Sequence, residues 1–300
     1  MKKLNISSEK RNSRVFSFFF LAPAFLLYTS LIILPIFGTL FYSLTEWNMI
    51  SKPIFVLFEN FKYLWTEDSS FGVVLKNTFI CILTCLIVEI PLATTFAFLV
   101  YRLTKGFRFF QSVYFVPAII SSAVVGLMYS LLFNTELGPI NNALKAIGLE
   151  SLQQNWLSDP KIVLFTVIAP TLWQMVGYYL VIILAGMQSI SEDVIESAII
   201  DGVNTFQLFI RIVIPLCKNI IQVCIILCIT GSLKYFDIPY MMTWGGPGVR
   251  SSFLSLYMYK SAFQESYFGR ACAIAVILLA IALLATVLVN TLFSIREKNK

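Results

Sequence analysis

The sequence predicts an all-α, polytopic membrane protein with six transmembrane helices. Of its 300 residues, 58% are hydrophobic and 13% are charged, and the mean hydropathy is +0.81, whereas charged residues make up about a quarter of an ordinary soluble domain. A helix needs about 20 apolar residues to cross the hydrocarbon core of a bilayer. Six apolar runs reach that length, and they cover residues 16–42, 77–101, 109–133, 162–187, 216–240 and 269–293.

Basic residues predict the orientation of these runs. An even number of spans places both chain ends on one side of the membrane, and the side rich in Lys and Arg is the cytoplasm. The tails, 1–15 and 294–300, are basic, and so is the connection between the second and third runs; the residues are Lys2, Lys3, Lys10, Arg11, Arg14, Arg102, Lys105, Arg108, Arg296, Lys298 and Lys300. We therefore expect two cytoplasmic tails and one membrane domain over 16–293. We interpret the net charge of +6 as an orientation signal, not as affinity for nucleic acid, and expect no nucleic-acid partner.

The composition argues against several kinds of catalytic or metal site. The chain has no histidine, which excludes imidazole ligands and histidine-based acid–base catalysis. The six cysteines lie in or at the ends of apolar runs, where small polarizable side chains usually serve packing; they are Cys81, Cys85, Cys217, Cys224, Cys228 and Cys272. The sequence therefore predicts neither catalytic residues nor a metal site.

Three loops, 43–76, 134–161 and 241–268, fall on the predicted extracytoplasmic side. The first contains an aromatic-rich segment, 55–71, that is typical of an interfacial helix. The second starts an amphipathic run after Gly138-Pro139, and the third contains "TWGGPG", which must be a turn. All three exceed simple helix connectors, so we expect them to contact a partner.

The segment 188–215 lies in the predicted cytoplasm and carries two helical patterns. Ser191 is positioned to cap the first helix, Glu192 and Asp193 suit its positive end, and Asp201-Gly202 ends it. A second helix is predicted from Asn204 or Thr205. The expected apolar faces are Val194, Ile195, Ala198 and Ile199 in the first helix, and Phe206, Phe209, Ile210 and Val213 in the second.

Acidic residues indicate what the 188–215 loop contacts. An amphipathic helix lying on the inner leaflet usually bears Lys or Arg on its polar face. Here Glu192, Asp193, Glu196 and Asp201 stand against Arg211 alone, and anionic lipid would repel them. The pattern therefore favours docking to a protein over contact with lipid.

The stretch "ESAIIDGVNTFQLFIRIVIP" resembles the E-A-A loop of permease subunits in binding-protein-dependent ABC importers. The matching residues are Glu196, Ala198, Asp201, Gly202, Phe209, Ile212 and Pro215. Ser197 and Val203 replace alanines of the pattern, and Asn219 stands where a second proline is frequent. The segments 55–65, 107–141 and 233–263 are similar to the carbohydrate-uptake branch, which includes maltose and glycerol-phosphate permeases.

This resemblance implies the type I importer permease fold and a transport subunit of a bacterial-type cell membrane, rather than an enzyme. It implies four kinds of partner: a second homologous permease, two ATP-binding cassette ATPase subunits, an extracytoplasmic solute-binding protein and the lipid bilayer. The 188–215 loop would couple ATP hydrolysis to the spans. The chain has no G-x-x-x-x-G-K-[ST] phosphate loop, so ATP and Mg would be bound by the partner and no cofactor is expected here.

Residues of the substrate path are predicted from chemistry alone. A sugar needs flat aromatic faces and polar groups, and a carboxylate inside a span faces protein or water rather than lipid. The candidates are Glu89, Trp173, Gln174, Tyr178, Tyr235, Asp237 and Tyr240, with Asn77, Tyr179 and Trp244 also considered. Several alternatives stay open: aromatic residues serve as interface anchors, Glu89 has a structural or interfacial role, and Lys234 and Asp237 form a local ion pair.

Two other classes of function are considered. Glu89 and Lys234 suit an ion-coupled secondary transporter, although no inverted repeat relates the first three runs to the last three. A polytopic membrane enzyme would need a nucleophile, an acid–base pair or a metal cluster near one membrane face. Without histidine or clustered carboxylates, this last hypothesis is the weakest.

Overall fold

The computed structural model describes residues 20–103 and 105–298, with side chains up to residue 295. The predicted tail 1–15 and most of the tail 294–300 lie outside the described side chains. The described helices are α1 (Phe20–Ser43), α2 (Glu59–Thr66), α3 (Ser69–Tyr101), α4 (Phe107–Ile119), α5 (Ser122–Leu132), α6 (Pro139–Ala146), α7 (Val163–Gln188), α8 (Glu192–Ile200), α9 (Thr205–Leu216), α10 (Lys218–Leu233), α11 (Asp237–Thr243), α12 (Leu254–Phe263) and α13 (Phe268–Lys298).

Four of these helices, α1, α3, α7 and α13, are each long and apolar enough to cross a membrane. The total reaches six if the bent pairs α4–α5 and α9–α10 each count as one span. The structure therefore agrees with the predicted polytopic all-α class. Helix α3 begins at Ser69 rather than at residue 77, because the Asp68 carboxylate caps it by accepting the backbone N–H groups of Ser70 at 2.9 Å and Phe71 at 3.2 Å.

The third apolar run is not one continuous helix. Helices α4 and α5 meet at 88°, because Ile120 and Ser121 adopt extended backbone angles. The break frees the carbonyl of Ile120, which accepts a hydrogen bond from Gln174 Nε2 of α7 at 2.7 Å. An apolar run cannot report this break, since a side chain from another helix stabilises it.

The fifth run is also interrupted. Helix α10 ends at Leu233, and a separate helix, α11, begins at Asp237. Pro239 has no N–H with which to bond the carbonyl of Tyr235, so a continuous helix is disfavoured there. The Ser255 hydroxyl of α12 donates to that carbonyl instead.

The large-loop end of the molecule comprises residues 43–68, 134–162 and 241–267. A two-stranded antiparallel hairpin pairs Thr45–Glu46 with Ile54–Phe55, and α2 follows it, so the segment predicted as one interfacial helix is a strand and a shorter helix. Helix α6 begins at Pro139, and the "TWGGPG" segment is a turn with positive φ at Trp244 (54°) and Gly245 (77°). Both of these features agree with the sequence.

The core lies where α3, α7 and α10 pack together, with α4 against α7. Gly177 of α7 makes the α4 contact possible. A Cβ at that position would lie 1.7 Å from the backbone oxygen of Tyr114, so only glycine fits. Helix α13 packs against α1, α10 and α12 at the side of this core.

Candidate functional site

A cavity of about 140 Å³ lies in the core between α3, α7 and α10, where both interrupted spans break. Its wall includes Ser122 at the start of α5 and residues 234–238 between α10 and α11. In membrane transporters, discontinuous helices of this kind typically form the solute site near the bilayer centre. The helix breaks and the cavity therefore belong to one feature of the fold.

Four of the seven predicted path residues line this cavity: Glu89, Gln174, Tyr235 and Asp237. Glu89 is 2% exposed within the chain, so it faces protein rather than lipid. Its Oε2 accepts a hydrogen bond from the Cys228 thiol at 3.5 Å, whereas its Oε1 has no partner among the described residues.

The other polar lining residues mostly bond to the protein itself. Gln174 bridges the α4–α5 break: its amide donates to Ile120, and the Ser122 hydroxyl donates to its Oε1 at 3.4 Å. The Tyr235 hydroxyl donates to the carbonyl of Val167 at 2.6 Å. These two residues therefore hold the backbone around the cavity.

Three predicted path residues lie away from the cavity lining. Trp173 and Tyr178 of α7 are partly exposed at the surface of the chain, and the centroid of the Trp173 ring lies 5.9 Å from that of Tyr129. Tyr240 belongs to an aromatic cluster with Trp244 and Tyr259 at the large-loop end. In this conformation the three rings do not meet Glu89.

Lys234 and Asp237 both line the cavity but do not form the ion pair that was one interpretation of their spacing. Among the described residues, no salt bridge within 4.0 Å joins Lys234 to Asp237; the salt bridge that is present joins Lys62 to Glu59. The break between α10 and α11 removes the helical i, i+3 geometry that would bring the two side chains together.

Sequence reasoning missed several lining residues that share one signal. Cavity-facing side chains recur at i, i+4 and i+8 on α3 and α7, and at i and i+4 on α10. They are Cys81, Cys85 and Glu89; Thr171, Met175 and Tyr179; and Cys228 and Ser232. Of these, only Glu89 was predicted and Tyr179 considered for the substrate path. This spacing places each set on one helix face, and aligning the three sets would have identified the lining.

Asn77 does not face the cavity but holds the large-loop end. Its amide nitrogen lies 3.2 Å from the carbonyl oxygen of Val249, 3.0 Å from that of Arg250 and 3.1 Å from that of Ser252. The neighbouring Thr78 hydroxyl accepts the N–H of Leu254 at 3.0 Å. Asn77 was considered as a sugar contact, and in this structure its amide instead holds the backbone carbonyls of the large-loop end.

A second tie at this end joins α12 to the start of α3. The Tyr257 hydroxyl donates to Asp68 Oδ2, the carboxylate that also caps α3. Burial and this hydrogen bond raise the pKa of Tyr257 above its ordinary value. Tyr257 therefore stays neutral and bonded at physiological pH.

The 188–215 loop lies at the opposite end of α3. Helix α8 ends at a turn where Gly202 has φ +79°, and α9 begins with a capping box between Asn204 and Gln207. Both helix boundaries agree with the sequence. Ser191 occupies the N-cap position of α8, but its hydroxyl makes no capping bond to the helix, so that detail of the prediction is wrong.

The apolar face of α8 is only partly covered by the rest of the molecule. Ile195 and Ala198 face the body, whereas Val194 and Ile199 are exposed. The predicted stripe spans about 140° at 100° per residue, and the body covers only its centre. Ile200 and Phe206, 84% and 72% exposed on either side of the turn, extend this uncovered apolar surface.

In α9 the predicted face is partly wrong. Leu208 and Val213 are buried, whereas Phe206 and Ile210 are exposed. Residues Leu208–Val213 form a π-helical segment, whose i→i+5 repeat aligns Leu208 with Val213 on one face. A pattern drawn with 3.6 residues per turn cannot show that register.

Two contacts brace the 188–215 loop against α3. The rings of Phe98 and Phe209 stack with centroids 4.6 Å apart, and the Arg102 guanidinium donates to the Thr205 hydroxyl at 2.7 Å. Among the seven residues of the predicted coupling set, Ala198 is buried, Phe209, Ile212 and Pro215 are half-buried, and Glu196, Asp201 and Gly202 are exposed. The set thus divides into residues that fix the loop and residues that reach solvent.

Comparison with known proteins agrees with this architecture. Residues 89–296 match the family model described as "Binding-protein-dependent transport system inner membrane component". The chain is 32% identical over 273 residues to the probable ABC transporter permease protein YurN of Bacillus subtilis, covering 90% of this chain and 93% of that one. It is also 32% identical over 255 residues to the multiple sugar-binding transport system permease protein MsmF of Streptococcus mutans, covering 85% and 87%.

A solved structure shares the fold. A bacterial alginate ABC transporter, determined in complex with an alginate pentasaccharide-bound periplasmic protein, has a chain that matches with a TM-score of 0.81 at 21% identity. The match covers 95% of this chain and 95% of that chain. The overall fold of this chain is therefore shared with a chain of a solved ABC transporter.

Proposed function

Because the chain belongs to the family of binding-protein-dependent transport system inner membrane components, we propose that it is one of two permease subunits of an ATP-driven importer. It forms part of the path for a sugar or sugar-like solute delivered by an extracytoplasmic binding protein. A separate ATPase supplies the energy through the 188–215 loop. Both chain ends and this loop face the cytoplasm.

The observation that carries this proposal is the exposed surface of the 188–215 loop. A short helix, a glycine turn and a capped second helix project from the bundle end, and apolar side chains surround the turn. Glu192, Asp193, Glu196 and Asp201 are exposed beside them. An apolar centre with a charged rim suits docking into a protein cleft, and acidic charge disfavours anionic lipid.

The assignment of a sugar as the solute rests on relatives and on the cavity. The similar permease MsmF is named for multiple sugar binding, and the matched solved structure was determined with a sugar-loaded periplasmic protein. The core cavity supplies aromatic and hydrogen-bonding side chains, which a hydroxylated ring requires.

Copurification tests the coupling role. The tagged chain is extracted from its own membranes in mild detergent, and an associated ATPase is measured by mass spectrometry and by nucleotide hydrolysis. We expect an ATPase with the native chain and its loss with Glu196→Lys, which reverses an exposed charge, and with Gly202→Pro, because a proline cannot adopt φ +79°. Glu150→Lys, a charge reversal at the large-loop end, is the matched control and should retain the ATPase.

The same experiment distinguishes an ion-coupled transporter. That alternative has one observation in its favour, the buried Glu89 carboxylate in the core. If no ATPase copurifies and the purified chain alone moves solute down an ion gradient in liposomes, the importer proposal is overturned.

A further inference from the structure

The core cavity contains one carboxyl oxygen that the protein leaves without a partner. Glu89 Oε1 is buried and has no hydrogen bond among the described residues, although the other oxygen of the same carboxyl group accepts from Cys228. Buried polar groups are nearly always paired, because an unpaired one loses its hydration without compensation. Two other buried side-chain oxygens of the described residues lack a partner, Thr29 Oγ1 and Ser252 Oγ, but neither residue lines this cavity. An unpaired oxygen on a cavity wall indicates a group with which an occupant of the cavity forms a hydrogen bond.

Three neighbouring polar side chains are already engaged. Gln174 bonds at the α4–α5 break, the Ser232 hydroxyl donates to the carbonyl of Cys228 at 2.9 Å, and the Tyr235 hydroxyl donates to Val167. Four others of the lining have no side-chain hydrogen bond or ion pair among the described residues: Thr171, Tyr179, Lys234 and Asp237. The cavity thus offers Glu89 as an acceptor and these side chains, Tyr179 among them, as further hydrogen-bonding groups.

The charges around the cavity favour a solute without negative charge. Glu89 and Asp237 carry carboxyl groups, and Lys234 is the one basic side chain of the lining. Within a low-dielectric core, a carboxylate on the solute would face carboxyl groups at short range and lose its hydration. A hydroxyl group instead donates to Glu89 whether that carboxyl is ionised or protonated, since either form has an accepting oxygen.

We infer that this cavity is a solute site for an uncharged, hydroxyl-rich sugar unit, in which Glu89 Oε1 accepts a hydroxyl proton and selects against carboxylate-bearing sugars. The inference rests on the proposed transport function and deepens it by naming the solute class. The volume of about 140 Å³ is below the range of about 300–1,000 Å³ for pockets that bury a whole ligand. One ring at most fits in this conformation.

The test measures uptake in cells of the source organism that lack the chromosomal copy and carry the native chain or a variant. Two labelled pools are supplied, one of neutral oligosaccharides and one of oligouronates of the same lengths. With the native chain we expect uptake of the neutral pool and little uptake of the uronate pool. Each variant is also purified, and the amount of copurified ATPase reports assembly.

Three variants of the lining and one control separate the roles. Glu89→Ala should lower neutral uptake about tenfold, the loss expected for one buried hydrogen bond. Glu89→Gln keeps an accepting oxygen, so neutral uptake should fall less, and uronate uptake should rise relative to it. Tyr179→Phe should also lower neutral uptake, whereas Thr95→Val should not, because Thr95 is exposed and bonds within its own helix.

The outcomes distinguish this inference from the proposed function. Native neutral uptake by an assembled Glu89→Ala chain, or equal native uptake of both pools, overturns the inference alone. If Glu89→Ala does not assemble, Glu89→Gln decides, and unchanged discrimination against oligouronates overturns the inference. If deleting the chain alters the uptake of neither pool, the proposed sugar path itself is overturned.

Discussion

Replacing Asn77 with alanine should release the large-loop end from α3. The two hydrogens of the Asn77 amide are shared among three carbonyls at 3.0–3.2 Å, which amounts to two hydrogen bonds. At about 1 kcal/mol each, their loss lowers the free energy of unfolding by about 2 kcal/mol. The carbonyls left without a donor and the small cavity left by the side chain lower the free energy of unfolding further.

Local opening of the 245–252 segment provides the sharper assay. Arg250 is exposed and its own carbonyl is one of the three that Asn77 bonds, so trypsin cleaves after Arg250 when the segment opens. A loss of about 2 kcal/mol corresponds to about 30-fold more open state. The rate of cleavage after Arg250 in detergent-solubilised protein should rise by that factor, provided that opening is fast relative to cleavage.

Asn142→Ala is the matched control, because Asn142 is an exposed amide at the same end whose bond to Leu137 is 3.4 Å long. It should change the free energy of unfolding by less than about 0.5 kcal/mol. Native cleavage rates and an unchanged unfolding midpoint in Asn77→Ala would refute the reasoning. A loss of sugar uptake without any loss of stability would instead return Asn77 to the solute path.

The remaining predictions concern three other contacts. Gly177→Ala should abolish folded protein in size-exclusion chromatography, since its Cβ would lie 1.7 Å from Tyr114 O, whereas Gly72→Ala, with nothing within 4 Å, should fold normally. Arg102→Ala and Thr205→Val should each lower the uptake per ATP hydrolysed by about tenfold, because the Arg102–Thr205 hydrogen bond braces the 188–215 loop. Thr205→Ser keeps the hydroxyl and should retain the native ratio of uptake to ATP hydrolysis. The same ratio in all three variants would contradict this role. Tyr257→Phe should lower the free energy of unfolding by about 1–2 kcal/mol. Because the folded pKa of Tyr257 is raised, this stabilisation is fully present below about pH 10, the unfolded value, and declines as the pH rises above it; denaturant unfolding at pH 8 and pH 11 checks the trend.

Hydropathy located the helices but not their interruptions. Apolar runs predict within one residue the end of α1, both limits of α7 and the start of α13, because hydropathy depends on composition alone. The breaks at Ile120 and before Asp237 depend on Gln174 and Ser255, which belong to other helices. Gln174 and Ser255 lie 54 and 20 residues from the carbonyls that they bond. No local pattern identifies these partners, although Pro239 by itself disfavours a continuous helix at the second break.

In the candidate sites, too, local features could be predicted from the sequence, whereas features that depend on packing could not. The turn at Gly202 and the capping of α9 by Asn204 are local features, and the sequence predicts the turn and the start of the helix at this place. The π-helical register of α9 and the exposure of Ile200 depend on packing against the bundle. Glu89, Gln174, Tyr235 and Asp237 were chosen by chemistry, but Trp173, Tyr178 and Tyr240 could not be separated from them, since an aromatic residue at a span end has the same signature whether it faces the cavity or lipid.

Helix α3 joins the three functional regions of the chain. Asn77 holds the large-loop end, Glu89 lines the cavity, and Phe98 and Arg102 brace the 188–215 loop. Residues 77 to 102 span about 38 Å at 1.5 Å per residue, which matches the hydrocarbon core and part of each interface. In the proposed importer, a displacement of the 188–215 loop would reach the cavity and the far loops through this one continuous helix. The Phe98–Phe209 stack would transmit that displacement to α3, since its two rings belong to α3 and α9 and their centroids lie 4.6 Å apart.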